Sequence, residues 1–317
     1  MFKQRYLSSL ARLFRADSSD SRWYIRKMIA ESGMSERYIR HIIGEPGSTC
    51  IVYRETEEPA GFCILRKSAW DTACFGTGAG GIEYLIAGGN SESDKKKIKK
   101  KLLEAALQLS REKKIFFLNS KVESADIVSA HVLADSGFKL MDTIVTYAFL
   151  KKSRPRIVSL KGIFKVRNFQ KSDLPCMSVL AAGSFSKDRF HADPRLRSRA
   201  GELFGKWLSG SFLSGTNITL YTACKGGRAA GFLLYRLDEF WVKECGFRII
   251  GRGLSAVSPE AKGAYIGLVN RVVRDVLERY DAAEFETQLT NLEVLRIWHK
   301  FGFEFTRARH TFHKWLI

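Results

Sequence analysis

Two short landmarks recur along the chain in the same order, which restricts it to folds built by repeating one unit. Glu58-Pro59-Ala60-Gly61-Phe62-Cys63-Ile64-Leu65 is echoed by Arg228-Ala229-Ala230-Gly231-Phe232-Leu233-Leu234-Tyr235. Further on, Ala134-Asp135-Ser136-Gly137-Phe138 is echoed by His299-Lys300-Phe301-Gly302-Phe303. The first pair of glycines lies 170 positions apart and the second 165, each close to half of the 317 residues. A chain of that length exceeds what one hydrophobic core organises, so two domains are expected. The ordered landmarks make them copies of one another.

The elements between the landmarks follow one sequence. In the second half Ile163 to Val166 reads as a short strand, Ser172 opens a helix towards Ala182, and Pro194 begins another that runs to about Ser211. Strands at 217–224 and 229–237 are joined by Lys225-Gly226-Gly227, and Arg248 to Val257 is a third strand. Ile266, Val269, Val273 and Val276 have helical spacing. Glu284 to Leu289 then reads as a strand, Leu292 to Lys300 as a helix, and 303–316 as a final strand or pair of strands. The first half matches, with strands near 49–54, 60–67, 82–87, 115–121 and 138–150 and helices over 94–113 and 124–136. A charged, proline-terminated linker, Lys151-Lys152-Ser153-Arg154-Pro155, divides 1–153 from 154–317. The expected class is α+β: two domains in tandem, each a mixed, mostly antiparallel sheet flanked by helices.

Composition excludes several alternatives. Hydrophobic residues at 45% with 12% aromatics describe a globular chain, and no apolar run approaches the ~18 residues of a membrane span. Leu7, Leu10, Leu13 and Phe14 are spaced as a helix but interrupted by arginine, which suits docking on the chain's own domain better than a signal peptide. None of the six cysteines forms a C-x-x-C pair, and no histidine lies at ligand spacing from them. A reducing, cytoplasmic setting without a metal is expected. The net charge of +19 asks for a polyanionic partner. It is spread over both halves, and nucleic acid is not the expected partner. In Lys95-Lys96-Lys97-Ile98-Lys99-Lys100-Lys101 the apolar Ile98, Leu102, Ala105, Ala106 and Leu109 form one face, leaving the lysines as the solvated face. Weak contact with an anionic membrane surface is the functional alternative for that run and for the N-terminal helix. Oligomeric state is not legible.

Asn291-Leu292-Glu293-Val294-Leu295-Arg296-Ile297-Trp298-His299-Lys300-Phe301-Gly302-Phe303 resembles the closing signature of GNAT acetyltransferases. The segment Leu254-Ser255-Ala256-Val257-Ser258-Pro259-Glu260-Ala261-Lys262-Gly263-Ala264-Tyr265 resembles the strand and pyrophosphate loop of that superfamily. The resemblance implies acetyl-CoA or another short acyl-CoA as co-substrate. It places the pantetheine arm along Ala256 and Val257 as an added strand, and the diphosphate at a helix start among Lys262, Gly263, Ala264, Tyr265 and Gly267. The register stays open: one alignment centres on Gly263, another starts at Lys262 and ends at Gly267. Asn291 and Trp298 complete the cofactor set, with Trp298 where the superfamily has a tyrosine that protonates the departing thiolate. In the first half the same place reads Gly88-Gly89-Asn90-Ser91-Glu92-Ser93-Asp94, where Ser93 or Asp94 caps the helix with its own oxygen. The first domain is therefore expected to lack the CoA site and to contribute to the acceptor site.

Trp70-Asp71-Thr72-Ala73-Cys74-Phe75-Gly76, Leu140 to Tyr147, Arg189-Phe190-His191-Ala192-Asp193-Pro194 and Glu286-Thr287-Gln288 resemble the branch around TDP-fucosamine N-acetyltransferase. They imply N-acylation of an amino sugar carried on a nucleoside diphosphate, with Trp70, Asp71, Phe190, Arg195, Arg307 and Arg309 on the acceptor. Arginine suits bidentate binding of a diphosphate. Glu286, His191 and His310 are the candidate bases that take the proton of the amine. Two other readings are aminoacyl transfer from charged tRNA and a non-catalytic, CoA-sensing module.

Overall fold

The computed structural model describes residues 6–17, 22–30, 33–153, 164–186, 188–208, 210, 216–261 and 263–316. In chain order the first 150 residues give α1 (Leu7–Ala16), α2 (Trp23–Ala30), α3 (Met34–Gly44), β1 (Ser48–Arg54), β2 (Pro59–Ser68), α4 (Ala69–Phe75), β3 (Ala79–Ala87), α5 (Glu92–Glu112), β4 (Phe117–Glu123), α6 (Ile127–Asp135) and β5 (Lys139–Leu150). The remainder gives β6 (Lys165–Asn168), α7 (Leu174–Ser184), α8 (Arg189–Ala192), α9 (Ala200–Trp207), β7 (Ile218–Lys225), β8 (Arg228–Leu237), α10 (Glu239–Cys245), β9 (Ile249–Val257), α11 (Ala264–Arg279), β10 (Ala282–Gln288), α12 (Leu292–Lys300) and β11 (Glu304–Trp315).

The chain divides into two units, but they are not its consecutive halves. One comprises Met1–Thr143 with Arg307–Ile317, the other Ile144–Thr306. The first has strand order β1-β2-β3-β4-β11 and the second β5-β10-β9-β8-β7-β6. The physical reason is strand pairing. β11 forms a seven-residue antiparallel ladder with β4, from Arg309↔Glu123 to Trp315↔Phe117. β5 forms the equivalent ladder with β10, from Ala282↔Leu150 to Gln288↔Ile144. Each half thus supplies the closing strand of the other's unit, an exchange that a division at the 151–155 linker does not contain. In each unit one pairing is parallel, β3 with β4 and β9 with β10, and the others are antiparallel.

The repeated glycines have steric causes. A Cβ on Gly61 would sit 2.7 Å from the Ile98 side chain and 2.8 Å from the Ile86 carbonyl. One on Gly231 would sit 2.6 Å from Val257 Cγ1. Gly137 and Gly302, at φ +80° and +85°, occupy the left-handed position that ends α6 and α12. The phenylalanines that follow, Phe62, Phe232, Phe138 and Phe303, are all buried. The landmarks therefore mark where helix and sheet approach closely and where the chain turns back into the core.

In the first unit α5 and α6 cover one sheet face, with Ile98, Leu102, Ala106, Val132 and Leu133 against Cys63, Leu65, Ile82 and Leu118. The apolar side of α1 (Leu7, Leu10, Ala11, Phe14) is buried, and Phe14 packs against Tyr38 and Tyr84. Among the described residues no helix is long and apolar enough to cross a membrane. The lysine run corrects the expectation of a fully solvated face at one position. Lys99 is 1% exposed and donates to Asp126 Oδ2 at 2.7 Å and Ser129 Oγ at 2.8 Å, with Asp17 Oδ2 at 3.7 Å. The pairing replaces the water that a buried ammonium loses. Burial pushes the Asp17 carboxyl up to about 6, against the pull of Lys99.

In the second unit α11 and α12 cover one face, with Leu268, Val269, Val272, Val273 and Val276 of α11 and Trp298 of α12 in one core with Tyr221, Leu233, Tyr235, Ile250 and Phe285. α7 packs on β8 and β9. Asp173, in the 3-10 turn that precedes α7, holds β6 and β7 together. It accepts from Arg167 through both oxygens at 2.7 Å, from Thr222 Oγ1 at 2.8 Å and from the Gln170 amide at 2.9 Å. These donors, Arg167 foremost, bring its carboxyl down from 3.8 to about 2. A depressed carboxylate stabilises the fold above its unfolded pKa, and that contribution disappears as pH falls through the folded one. Asp173→Asn is expected to cost about 2 kcal/mol at pH 7. The gap between the urea midpoints of variant and wild type should close between pH 4 and pH 2; a constant gap would show that the charge is not its source.

Candidate active site

The site is built where two strands of the second unit part. β9 and β10 pair in parallel only over Ile249–Gly251 with Ala282–Glu284. β9 then continues to Val257 paired only with β8. The local sequence forces the parting. A Cβ on Gly251 would be driven into the Glu284 carbonyl and one on Gly253 into the Leu234 carbonyl. Between them Arg252 has φ +50°, and the β8–β9 register slips between Leu234 and Arg236. This is a β-bulge, which bends a strand and turns its edge. The result is an edge of β9, from Arg252 to Val257, that β10 does not meet.

This bulge was missed in the sequence, although glycine within a strand is the signal for it. Gly251-Arg252-Gly253 supplied that signal. The first unit has a counterpart: Gly81 lies opposite Asn119 in the parallel β3–β4 pairing, and the β2–β3 register slips between Ile64 and Leu65.

Beyond the free edge, the 3-10 turn Pro259–Ala261 leads into α11. Gly263 is the N-cap, with no side-chain acceptor for the first amides and no acid in the first turn. A helix start of this kind presents unpaired N–H groups and partial positive charge. A Cβ on Gly263 would meet only the Phe164 ring, at 3.4 Å. The equivalent α5 differs in each respect. Ser91 accepts from the Asp94 amide at 3.1 Å and donates to Asp94 Oδ2 at 2.7 Å, and Glu92 and Asp94 lie in the first turn.

The remaining residues expected at the CoA loop divide. Ala264 is buried in the core, Gly267 packs close to Val166, and Lys262 lies outside the described residues. Tyr265 points into the core as well, 7% exposed. Its hydroxyl accepts a hydrogen bond from Trp298 Nε1 at 3.0 Å. Trp298, at 2% exposure, stacks with Phe285 and Phe303. Two side chains expected separately along the CoA ligand thus meet each other. Asn291 begins α12 and donates to Thr287 Oγ1 at 3.0 Å. Ala256 is buried, and Val257 ends β9 opposite Gly231.

His191 lies in α8, which starts five residues before Pro194. Asp188 is the N-cap of α8, accepting from the Phe190 and His191 amides, and the expected helix start at Pro194 is corrected: Pro194 lies in the turn after α8, and the next α-helix is α9, from Ala200. The other oxygen of Asp188 lies 2.5 Å from His191 Nδ1. The buried carboxylate thereby fixes the ring and leaves Nε2 as the nitrogen that can take up a proton. Phe190 is a core residue, edge-on to Phe204 and covered by Arg189. Arg195 is exposed, in the turn that buried Asp193 organises through the Arg195 amide. Glu286 is exposed on β10, on the face opposite Phe285, and accepts from Thr146 Oγ1 at 3.2 Å.

The other expected residues belong to the first unit. Trp70 and Asp71 start α4, where Ser68 accepts from the Asp71 amide, and Gly76 closes it at φ +67°. α10 has the same form, ending at Gly246 with φ +70°. The motif around Trp70 thus has a repeated structural basis. Arg307 is paired with Glu123 at 3.5 Å, with both side chains nearly buried. Glu123 is also the ladder partner of Arg309, so one carboxylate stands beside both arginines. Arg309 is half-buried beside it, and His310 Nδ1 lies 2.9 Å from Thr143 Oγ1.

No protein-family model matches the chain. It is 24% identical over 272 residues, 82% of this chain and 86% of the other, to the spore coat polysaccharide biosynthesis protein SpsD of Bacillus subtilis (strain 168). A GCN5-related N-acetyltransferase from Sphaerobacter thermophilus superposes with a TM-score of 0.65 at 12% identity, over 99% of this chain and 94% of that one. A tandem GNAT protein from the clavulanic acid biosynthesis pathway does so at 0.57 and 12% identity, over 99% and 96%. What the chain shares with these structures is the fold.

Proposed function

We propose, for a chain with the tandem GNAT fold, that it is an N-acyltransferase moving an acetyl or other short acyl group from acyl-CoA to the amine of an amino sugar carried on a nucleotide. The observation that carries this reading is the free edge of β9 running up to the uncapped first turn of α11. An amide-bearing arm can pair along Arg252 to Val257, and a diphosphate fits the amides beyond Gly263. The α5 start is closed by Ser91 and Asp94, so the first unit holds no CoA. The sugar acceptor draws its support from the relative's part in polysaccharide biosynthesis.

Acyl-CoA supplies an activated thioester. The backbone at the end of β9 polarises its carbonyl, and His191, held by Asp188, takes the proton that the amine loses on attack. The test is thiol release from acetyl-CoA, with a panel of nucleotide-linked amino sugars as acceptors. His191→Ala should lower kcat by about 10²-fold and leave CoA affinity unchanged. Full activity in that variant, with loss in Glu286→Gln, would move the role to Glu286.

A further inference from the structure

Among the described residues of the second unit, four large hydrophobic side chains stand exposed: Val179, Leu289, Leu292 and Phe305. Three of them fall between residues 289 and 305, the segment that carries α12. Apolar surface gathered in one place marks a contact site, whereas scattered single residues do not. Neither the free edge of β9 nor His191 makes use of it. Here Tyr147, Leu292, Leu295, Arg296, His299 and Lys300 line a cavity of about 340 Å³. That volume falls within the range of small-molecule sites. Phe305 stands edge-on to the Tyr147 ring, with 5.8 Å between centroids.

The α12 positions in that lining follow the spacing of a single helix stripe, so the cavity has two unlike ends. Leu292 and Leu295, with the Tyr147 ring, make an apolar end towards the start of α12. Arg296, His299 and Lys300 make a basic end towards its C-terminus. Cations in a last turn offset the helix dipole. That accounts for their sign but not for the apolar half of the cavity they share. No acid lines the cavity. Among the described residues none of the three basic side chains has a hydrogen-bond or ion-pair partner. From Leu292 to Lys300 the stripe runs about 12 Å.

We infer that this cavity binds a nucleoside diphosphate, its base on Tyr147, Leu292 and Leu295 and its phosphates on Arg296, His299 and Lys300. Such a ligand has one planar, stacking end and one anionic end, held apart by a ribose over a comparable length. The lining supplies both attractions: an aromatic ring for the base, and charge-assisted bonds for the phosphates. Arginine can give phosphate two parallel N–H bonds. An anionic bilayer would be met by apolar side chains protruding between the cations; here the cations line one end of a hollow, which suits a compact ligand. No residue of α11 or β9 lines the cavity, so the site is separate from the acyl-CoA edge and goes beyond that reading. A free nucleotide and the nucleotide carried by a sugar present the same chemistry to it.

The test is titration calorimetry of the full chain with ADP and UDP, in wild type and in Gly263→Glu, where a diphosphate at the start of α11 does not contribute. Both nucleotides should bind Gly263→Glu, and pyrophosphate, which has no base, should bind about tenfold more weakly. In that background Arg296→Glu should weaken the nucleotides by about tenfold or more, and Leu292→Glu, which puts an acid at the apolar end, by a similar factor. Both positions are exposed, so the fold has no reason to fail, and thermal unfolding checks it. Displacement of UDP by UDP-N-acetylglucosamine would identify a sugar-carried nucleotide as the ligand, and no displacement a free one; either result upholds the site. Unchanged nucleotide affinity in both variants would overturn it, as would pyrophosphate binding as tightly as UDP. No nucleotide binding, with capture by vesicles of phosphatidylcholine and phosphatidylglycerol that Arg296→Glu abolishes, would overturn it in favour of a membrane face. Wild type that binds no CoA would remove the acyl-CoA reading while leaving this site intact.

Discussion

Gly263→Glu is expected to weaken acyl-CoA binding by more than 100-fold without unfolding the protein. At φ −63° the backbone accepts any L-residue, and the new Cβ meets only the Phe164 ring at ordinary contact distance. The fold therefore has no reason to fail. The site does, because the added carboxylate stands where a diphosphate would approach the first amides of α11. Two unit charges about 4 Å apart repel by about 4 kcal/mol at the effective dielectric of a protein surface. The side chain can also fold back and cap those amides, as Ser91 does on α5. Gly263→Ala adds volume without charge and should cost less than tenfold. Titration calorimetry with CoA separates the outcomes. Unchanged affinity in Gly263→Glu would place the diphosphate elsewhere.

Asp275→Ala should be the most destabilising single change in the second unit, by about 3 kcal/mol or more. This carboxylate on α11 is fully buried and accepts from Tyr221 at 2.8 Å, Tyr235 at 2.7 Å and Arg279 at 2.7 Å, with Arg271 at 3.3 Å. Burial, reinforced by the adjacent carboxylate, pushes the Tyr235 phenol up, so it stays a neutral donor. Truncation removes the acceptor of two buried phenol O–H groups, each loss costing about 1–3 kcal/mol. The half-exposed arginines can turn to water. For a unit of this size the melting temperature should fall by about 10 °C. Asp275→Asn keeps an acceptor oxygen and should lose less. A melting temperature within 2–3 °C of wild type for Asp275→Ala would mean that the tyrosines find other partners.

The elements legible in the sequence were those whose signals are local. Gly61 and Gly231, Gly137 and Gly302 announced the repeat because close approach and left-handed φ exclude a side chain wherever the rest of the chain lies. The valine spacing of α11 is equally local, whereas the cap on α5 falls at Ser91 and not at Ser93 or Asp94. Lys99 was misread as solvated because its partners, Asp126 and Asp17, lie on other elements. The helix expected to open at Pro194 begins only at Ala200, because buried Asp193 turns the chain there through the Arg195 amide and Asp188 caps a separate short helix, α8.

By itself the sequence determined the α+β class, the repeat, and the valine-spaced helix that follows the third strand of the second half, because backbone sterics and side-chain periodicity act over a few residues. Only the tertiary structure decided that β5 and β11 close each other's units, that Arg307 is taken by Glu123, and that Tyr265 meets Trp298. Those outcomes depend on hydrogen-bond ladders and packing between segments tens to nearly two hundred residues apart, and no local pattern encodes which distant edge or side chain will be the nearer one.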